Sequence, residues 1–474
     1  MARRRIFKIA IWTGSAALAV VLALGGLYWV GISRFNPDPP ARDYSKPQSA
    51  LQAQQQDIDY FRKLMAMDRA FLPNARAEAN RRLDGLAVLT AAMDRDHLRV
   101  VLMQIAALAD NGHTSLYSNK NPNGRSRLLP IRVRDFSDGY YVMRVEPGNA
   151  DLLGARVVAI EGKPIADVVA RLEALHGGTA GTRAVEAGLY LTSSGLLYGL
   201  GIAPSPDRGT WTFETREHRT VERTFAAYQP TIDEPYPDLW RWEVPQPIKG
   251  DRHWVAFDPG ISLPVTDRDP DTTFRNVPLA GTCISLVQLK SNADQSGEKI
   301  ARFLKATQAG LESRKPCAII FDLRHDGGGD YTNTASFAAA LPRIVGPQGH
   351  VYILTGPNTF SAGITTVVFT KQVAPARVTI LGEPVGDNMS FWAEGNFGCL
   401  PNAPFCFHYA TGKHDYRHAC TDPNDCFWLN WIYPAHTDSM SPDQIITESF
   451  ADYLAGRDPV FDRALALAKS KNNS

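Results

Sequence analysis

Cys317-Ala-Ile-Ile-Phe-Asp-Leu-Arg-His-Asp-Gly-Gly-Gly-Asp330 decides how the second half of this chain is read. Cys317–Leu323 is an apolar run of strand length, and the three glycines break it into a loop. The same grammar continues on either side. A strand over Thr282–Leu289 and a helix over Gly297–Leu311 precede it. A helix over Thr332–Leu341, a strand over His350–Thr355, a helix over Ser361–Thr370 and a strand over Val378–Leu381 follow. This alternation predicts an α/β fold, a mainly parallel sheet with helices packed on it. Ligands of such sheets bind at the carboxyl ends of the strands. Asp326–Gly329 and Ser361 both come just after strands, so they share that edge.

Three short stretches carry candidate chemistry. Ser361, in Thr359-Phe-Ser-Ala-Gly363, opens a helical run, where backbone N–H groups are free and the field is positive. The Ala362 N–H is one natural donor to an anion there. The commoner use of such a serine is a plain N-cap. Gly327-Gly-Gly329 lets backbone N–H groups approach a ligand without Cβ interference, so Gly328 or Gly329 is a second candidate donor. A phosphate-binding turn would look similar, but the P-loop lysine is missing. His113, in Asp110-Asn-Gly-His-Thr-Ser-Leu116, follows a helix in a glycine-containing loop. It is one of 11 histidines, so position alone says little. Nucleophile, base and oxyanion donors are the parts acyl transfer needs.

The remainder sets the context. The chain has 474 residues, 44% hydrophobic and 21% charged, with a net charge of +1. That length predicts several modules, and that charge gives no footprint for nucleic acid. Ile9–Ser33 holds no charged residue and, at about 25 residues, is long enough to span a bilayer. It ends in Tyr28 and Trp29 and a few further residues, without a small-x-small cleavage pattern, and Arg3, Arg4, Arg5 and Lys8 precede it. The expectation is an uncleaved signal anchor across the inner membrane over 1–34, single-pass, with the bulk of the chain periplasmic. Residues 35–50 read as an exposed linker. Residues 51–125 read as a helical module with Ile58, Phe61, Leu64 and Met65 on one face and Asp96 as a cap.

Residues 126–180 read as two strands, a glycine turn and a helix, the pattern of a PDZ-like β-rich subdomain that captures peptides by strand addition. Residues 181–280 read as mixed β and irregular, with strands at Leu196–Ile202 and Gly209–Thr215. Residues 281–474 form the αβ core, with a cysteine-rich insertion at 396–430. Cysteine usage suits an oxidising compartment, with Cys399–Cys406 and Cys420–Cys426 as the favoured local pairings. A zinc cluster with His408, His414 and His418 is the alternative, though no Cys-x-x-Cys pair is present. For Cys283 and Cys317, buried thiols and a mutual bond are both open.

The order Asp110-Asn-Gly-His-Thr-Ser-Leu116, PDZ-like segment, Asp322-Leu-Arg-His-Asp-Gly-Gly-Gly329, Phe360-Ser-Ala-Gly363, Gly382-Glu-Pro-Val-Gly386 resembles the tricorn and C-terminal-processing serine peptidases. So does the ending Asp452-Tyr-Leu-Ala-Gly-Arg-Asp-Pro459. The resemblance implies a crotonase-like αβ core with an N-terminal helical module and a PDZ-like subdomain. It implies a serine peptidase acting on peptides or proteins, with no metal or organic cofactor. The lysine-using branch carries its lysine about 25 residues after the serine, where this chain reads Gly386-Asp-Asn-Met-Ser390. The histidine-using, tricorn-like branch fits instead, making Ser361 the nucleophile, His113 the base, and Gly328, Gly329 and Ala362 the oxyanion donors. Residue 112 is Gly where tricorn has a serine. The acid behind His113 is open among Glu394, Asp425 and Asp438. A non-catalytic ligand- or peptide-binding protein on the same scaffold is the rival reading.

Overall fold

The computed structural model describes residues 33–118, 126–231, 254–258, 262–295 and 297–472, with Gly25, Gly26, Gly31, Arg241, Val244, Pro245 and Gly260 besides. Nearly all of the apolar stretch Ile9–Ser33, expected as the anchor, lies outside the described residues. Among those described, no helix is long and apolar enough to cross a membrane.

The helical module follows its periodicity. Ser49 caps α1 (Ala50–Met67) by accepting from the Gln52 N–H, and Ile58, Phe61, Leu64 and Met65 are on its buried face. α2 (Pro73–Ala87) and α3 (Arg95–Ala106) complete the module. The α3 cap is Asp94, which accepts from the Asp96 N–H. The expected cap, Asp96, lies two residues too late because Arg95 is already helical. After a short 3-10 turn, Asp110 takes φ +48 and reverses the chain toward β1 (Ser115–Ser118).

The β-rich part begins as expected with β2 (Ile131–Phe136), β3 (Gly139–Val145), β4 (Arg156–Ile160), β5 (Lys163–Pro164) and α4 (Ile165–Glu173). It does not end at 180. After α5 (Ala180–Tyr190) and α6 (Ser194–Gly199), β6 (Arg208–Glu214) and β7 (Thr220–Ala226) join the same sheet, ordered β2-β3-β4-β6-β7. β8 (Val255–Ala256) pairs with β3. The strand expected at Leu196–Ile202 is the helix α6. Its Leu196 and Leu197 are both fully buried, so the short run is apolar on every side and has no period to read.

The core runs β9 (Phe274–Pro278), β10 (Ile284–Leu289), α7 (Ile300–Arg314), β11 (Ala318–Asp322), α8 (Ala335–Ile344), β12 (His350–Thr355), α9 (Ala362–Lys371) and β13 (Val378–Gly382). Then come β14 (Ser390–Ala393), β15 (Asn396–Cys399), β16 (Phe405–Tyr409), β17 (Gly412–Asp415), α10 (Leu429–Ile432), β18 (Gln444–Ile445), α11 (Phe450–Leu454) and α12 (Pro459–Asn472). The main sheet has the order β18-β13-β12-β11-β10-β9, parallel except for the edge strand β9. Ile319, Phe321, Val351 and Ile353 face one layer with Leu304, Leu311, Phe337 and Val367. Ala318, Ile320, Tyr352 and Leu354 face the other, against Val460, Phe461 and Ala464 of α12. Strands covered on both faces are apolar throughout, which is why they were legible.

All six cysteines are paired, Cys283–Cys317, Cys399–Cys406 and Cys420–Cys426, so no thiolate is left for zinc. The cysteine-rich segment is scaffold rather than ornament: β15 pairs with β16, and β16 pairs with β1, setting Ser115 opposite His408. The first part of the expected linker is also built in. Phe35 is buried, Tyr409 donates to the Pro37 carbonyl at 2.6 Å, and Tyr60 donates to the Pro40 carbonyl at 2.7 Å.

Two buried carboxyls tie the helical module to this scaffold. Asp57 accepts from the Asn402 and Ala403 N–H groups, and Asp68 from the Ala410 N–H and the Thr114 hydroxyl. Burial pushes each up to about 6, from 3.8. The folded chain thus keeps these protons where the unfolded chain has lost them. Their contribution to stability is full below about pH 4 and is lost as pH rises through about 6. Against Asp57→Asn, which cannot titrate there, the wild-type advantage in urea unfolding should shrink by about 2–3 kcal/mol between pH 4 and pH 7.

Candidate active site

Ser361 stands between β12 and α9 with φ +53 and ψ −122. A positive φ is uncommon for a residue with a side chain, and holding one there costs on the order of 1–3 kcal/mol. Ser361 is the N-cap position of α9, yet its side chain makes no capping bond. The ordinary use of a serine at this place is therefore absent. Among the described residues, the N–H of Ala362 has no acceptor.

The turn is locked from below by the glycine loop. Asp326 is fully buried, and its backbone carbonyl accepts the Phe360 N–H at 2.9 Å. A Cβ on Gly363 would stand 2.3 Å from that same carbonyl oxygen, and one on Gly328 would stand 2.6 Å from Ser361 Cβ. Gly328 and Gly329 take φ +105 and +137. The Asp326 carboxyl accepts the Gly328 N–H at 3.1 Å. With the Asn292 amide nitrogen turned toward it, Asn292 also donates to this carboxyl at 2.6 Å. Burial pushes the Asp326 carboxyl well above the ordinary carboxylate range. The expected oxyanion donor Gly328 is thus already engaged, because a buried carboxyl must find donors. Among the described residues, no acceptor takes the N–H groups of Gly329 and Ala362.

His113 reaches the site from the helical module. Its side chain is 12% exposed and stacks on Phe360, the residue before Ser361, with centroids 4.3 Å apart. Phe391 stacks on it as well, at 5.4 Å. The loop that carries it is pinned at several points. Asn111 accepts from the Trp392 N–H at 3.1 Å and donates to Thr114, which in turn donates to Asp68. His408 Nδ1 lies 2.7 Å from the His113 carbonyl. A carbonyl only accepts, so His408 carries its proton on Nδ1, and burial pushes its pKa down. Gly112 is glycine for a reason: a Cβ there would stand 2.8 Å from the Phe360 ring and 3.2 Å from Asp387 Oδ2.

Asp387 is the residue that sequence reasoning missed. Its Oδ2 lies 3.5 Å from His113 Nδ1, and its side chain is 1% exposed. Neither atom has a hydrogen-bond partner, and His113 Nε2 has none either. The other oxygen, Oδ1, accepts the Asn388 N–H at 2.8 Å. A buried carboxyl facing an imidazole nitrogen is an arrangement a fold has to enforce. Here Gly386 does so, its N–H donating to Thr359 and its carbonyl accepting from the hydroxyls of Thr179 and Thr182. The three carboxylates first considered lie elsewhere. Glu394 pairs with His414 at 3.3 Å, Asp425 pairs with Arg69, and Asp438 is exposed. The signal available was the spacing itself: Asp387 occupies the stretch where the other branch keeps its lysine. Among the described residues, no cluster of His, Cys, Asp or Glu is placed to hold a metal.

No family model matches this chain, and no curated protein does. Among solved structures, mature CPAF complexed with lactacystin aligns over 90% of this chain and 100% of its own, at 13% identity and a TM-score of 0.56. Mature CPAF alone aligns over 90% and 98%, at 13% identity and 0.54. The chain shares the fold of mature CPAF. The tricorn protease aligns over 91% of this chain and 38% of its own, at 13% identity and 0.39.

The close approach at Gly363 has a measurable sign. In an open helix, Gly→Ala adds roughly 1 kcal/mol of stability. Here the new Cβ meets a backbone oxygen, so Gly363→Ala should instead lower stability by about 1–3 kcal/mol in denaturant unfolding.

Proposed function

We propose that this chain is a serine peptidase, anchored in the inner membrane by Ile9–Ser33 and working on its periplasmic side. Ser361 Oγ attacks the carbonyl of a peptide bond while His113 Nε2 takes its proton. The electron pair moves onto the carbonyl oxygen, which the N–H groups of Gly329 and Ala362 receive. Collapse expels the amine, which collects the proton from His113, and leaves an acyl-serine. Water then attacks the ester with His113 again as base. Asp387 holds the imidazole with its Nδ1–H toward the carboxylate and stabilises the imidazolium that forms.

The observation that supports this most is the buried His113–Asp387 pair, 3.5 Å between Nδ1 and Oδ2, set against the neighbour of a serine in a strained turn. No hydrogen bond joins His113 to Ser361 in the structure. Catalytic contacts commonly tighten only once substrate is bound. The shared fold with mature CPAF supports a peptidase over an unrelated use of the scaffold.

A fluorophosphonate probe should label the wild type and leave Ser361→Ala unlabelled, and His113→Ala should lose most of the labelling rate. Equal labelling of wild type and Ser361→Ala would sink the assignment. No labelling of a folded wild type would favour the binding-protein reading. With casein as a general substrate, Asp387→Asn should lower kcat on the order of a thousandfold or more while the melting temperature stays near that of the wild type.

A further inference from the structure

The chain leaves the apolar stretch with no slack. Gly31 and Ser33–Phe35 are helical. A Cβ on Gly31 would touch the Trp428 ring at 3.4 Å. Arg34 donates to the Asn424 carbonyl at 3.0 Å and to its side-chain oxygen at 3.2 Å. Asn424 lies inside the loop closed by Cys420–Cys426. Phe35 is 3% exposed, lies edge-on to Phe427 at 5.6 Å, and its carbonyl accepts from the Gly395 N–H and the Thr411 hydroxyl. From Ser33, where the uncharged run ends, to buried Phe35 is two residues, at most about 7 Å of chain.

Beside this entry point stands α10, the short helix that follows Trp428. Trp431 and Ile432 are 52% and 59% exposed there, although Phe427, Trp428 and Leu429 pack inward with Phe35. Large apolar side chains next to each other and open to water call for a partner. Tryptophan favours the headgroup level of a bilayer.

We propose that α10 is a membrane seat: Trp431 and Ile432 enter the headgroup region of the same bilayer that holds the N-terminal anchor. This rests on the anchor reading of Ile9–Ser33. It goes beyond it, because an anchor alone allows the body to swing on a tether, whereas here the body lies directly on lipid with a fixed face toward it. The partner is the lipid surface, since the chain itself brings that surface to within two residues of Phe35, which shares a cluster with Trp428 and Leu429 beside the patch.

The test uses the full chain in phosphatidylcholine–phosphatidylglycerol vesicles. All six native cysteines are in disulfides, so a single added cysteine takes a fluorophore cleanly. Ile432→Cys and, as a comparison, the exposed Val158→Cys on β4 are each labelled and challenged with doxyl-labelled lipid. The expected result is quenching at position 432 several-fold stronger than at 158, repeated with Trp431→Cys. Vesicles are first washed with alkaline carbonate. Release of the chain by that wash overturns the anchor and the seat together. Retention with equal quenching at 432 and 158 overturns the seat alone. A shielded label at 432 that lipid does not quench, and that shifts with protein concentration, overturns it in favour of a second copy.

Discussion

The candidate site depends on one buried group, Asp326. Its carbonyl fixes the turn at Phe360, its carboxyl takes the Gly328 N–H, and its backbone leaves room at residue 363 for a hydrogen only. A carboxyl this deep is tolerable only when neutral or fully bonded. Its raised pKa and the Asn292 amide meet that need. One residue thus welds the end of β11 to the start of α9. The strained angle at Ser361 can persist because these contacts over-determine it.

The second constraint is the pairing of β1 with β16. The imidazole belongs to the helical module, and the serine belongs to the αβ core. Nothing local brings them together. The hairpin β15–β16, closed by Cys399–Cys406, supplies the strand that His113's own segment needs, and His408 fixes the backbone at His113. The rings of Phe360, His113, Phe391 and His414 then stack in sequence, which confines the imidazole between two layers of the fold.

The main sheet was legible because its strands are buried on both faces, and His350–Thr355 matches residue for residue. The serine and glycine loops were legible because each follows such a strand. Leu196–Ile202 was misread because a buried single-turn helix leaves no periodic trace. Asp387 was missed for a different reason. Its role comes from being 3.5 Å from His113, and its neighbours Gly386 and Asn388 carry no motif that announces it. The same holds for Gly112, whose missing side chain makes sense only once Phe360 is beside it. The cysteine-rich segment looked like an addition because its composition is that of a loop, yet it carries strands that complete another module.

The β1–β16 ladder also has a bearing on the order in which the molecule comes to life. The bond between His408 and the His113 carbonyl joins positions 295 residues apart. During synthesis, the segment holding His113 emerges long before the strand that sets it. Asp387 and Ser361 come late as well. A partly made chain therefore carries an imidazole with no fixed orientation and no carboxylate behind it. The candidate site is complete only once the C-terminal third has arrived and the Cys399–Cys406 hairpin has closed.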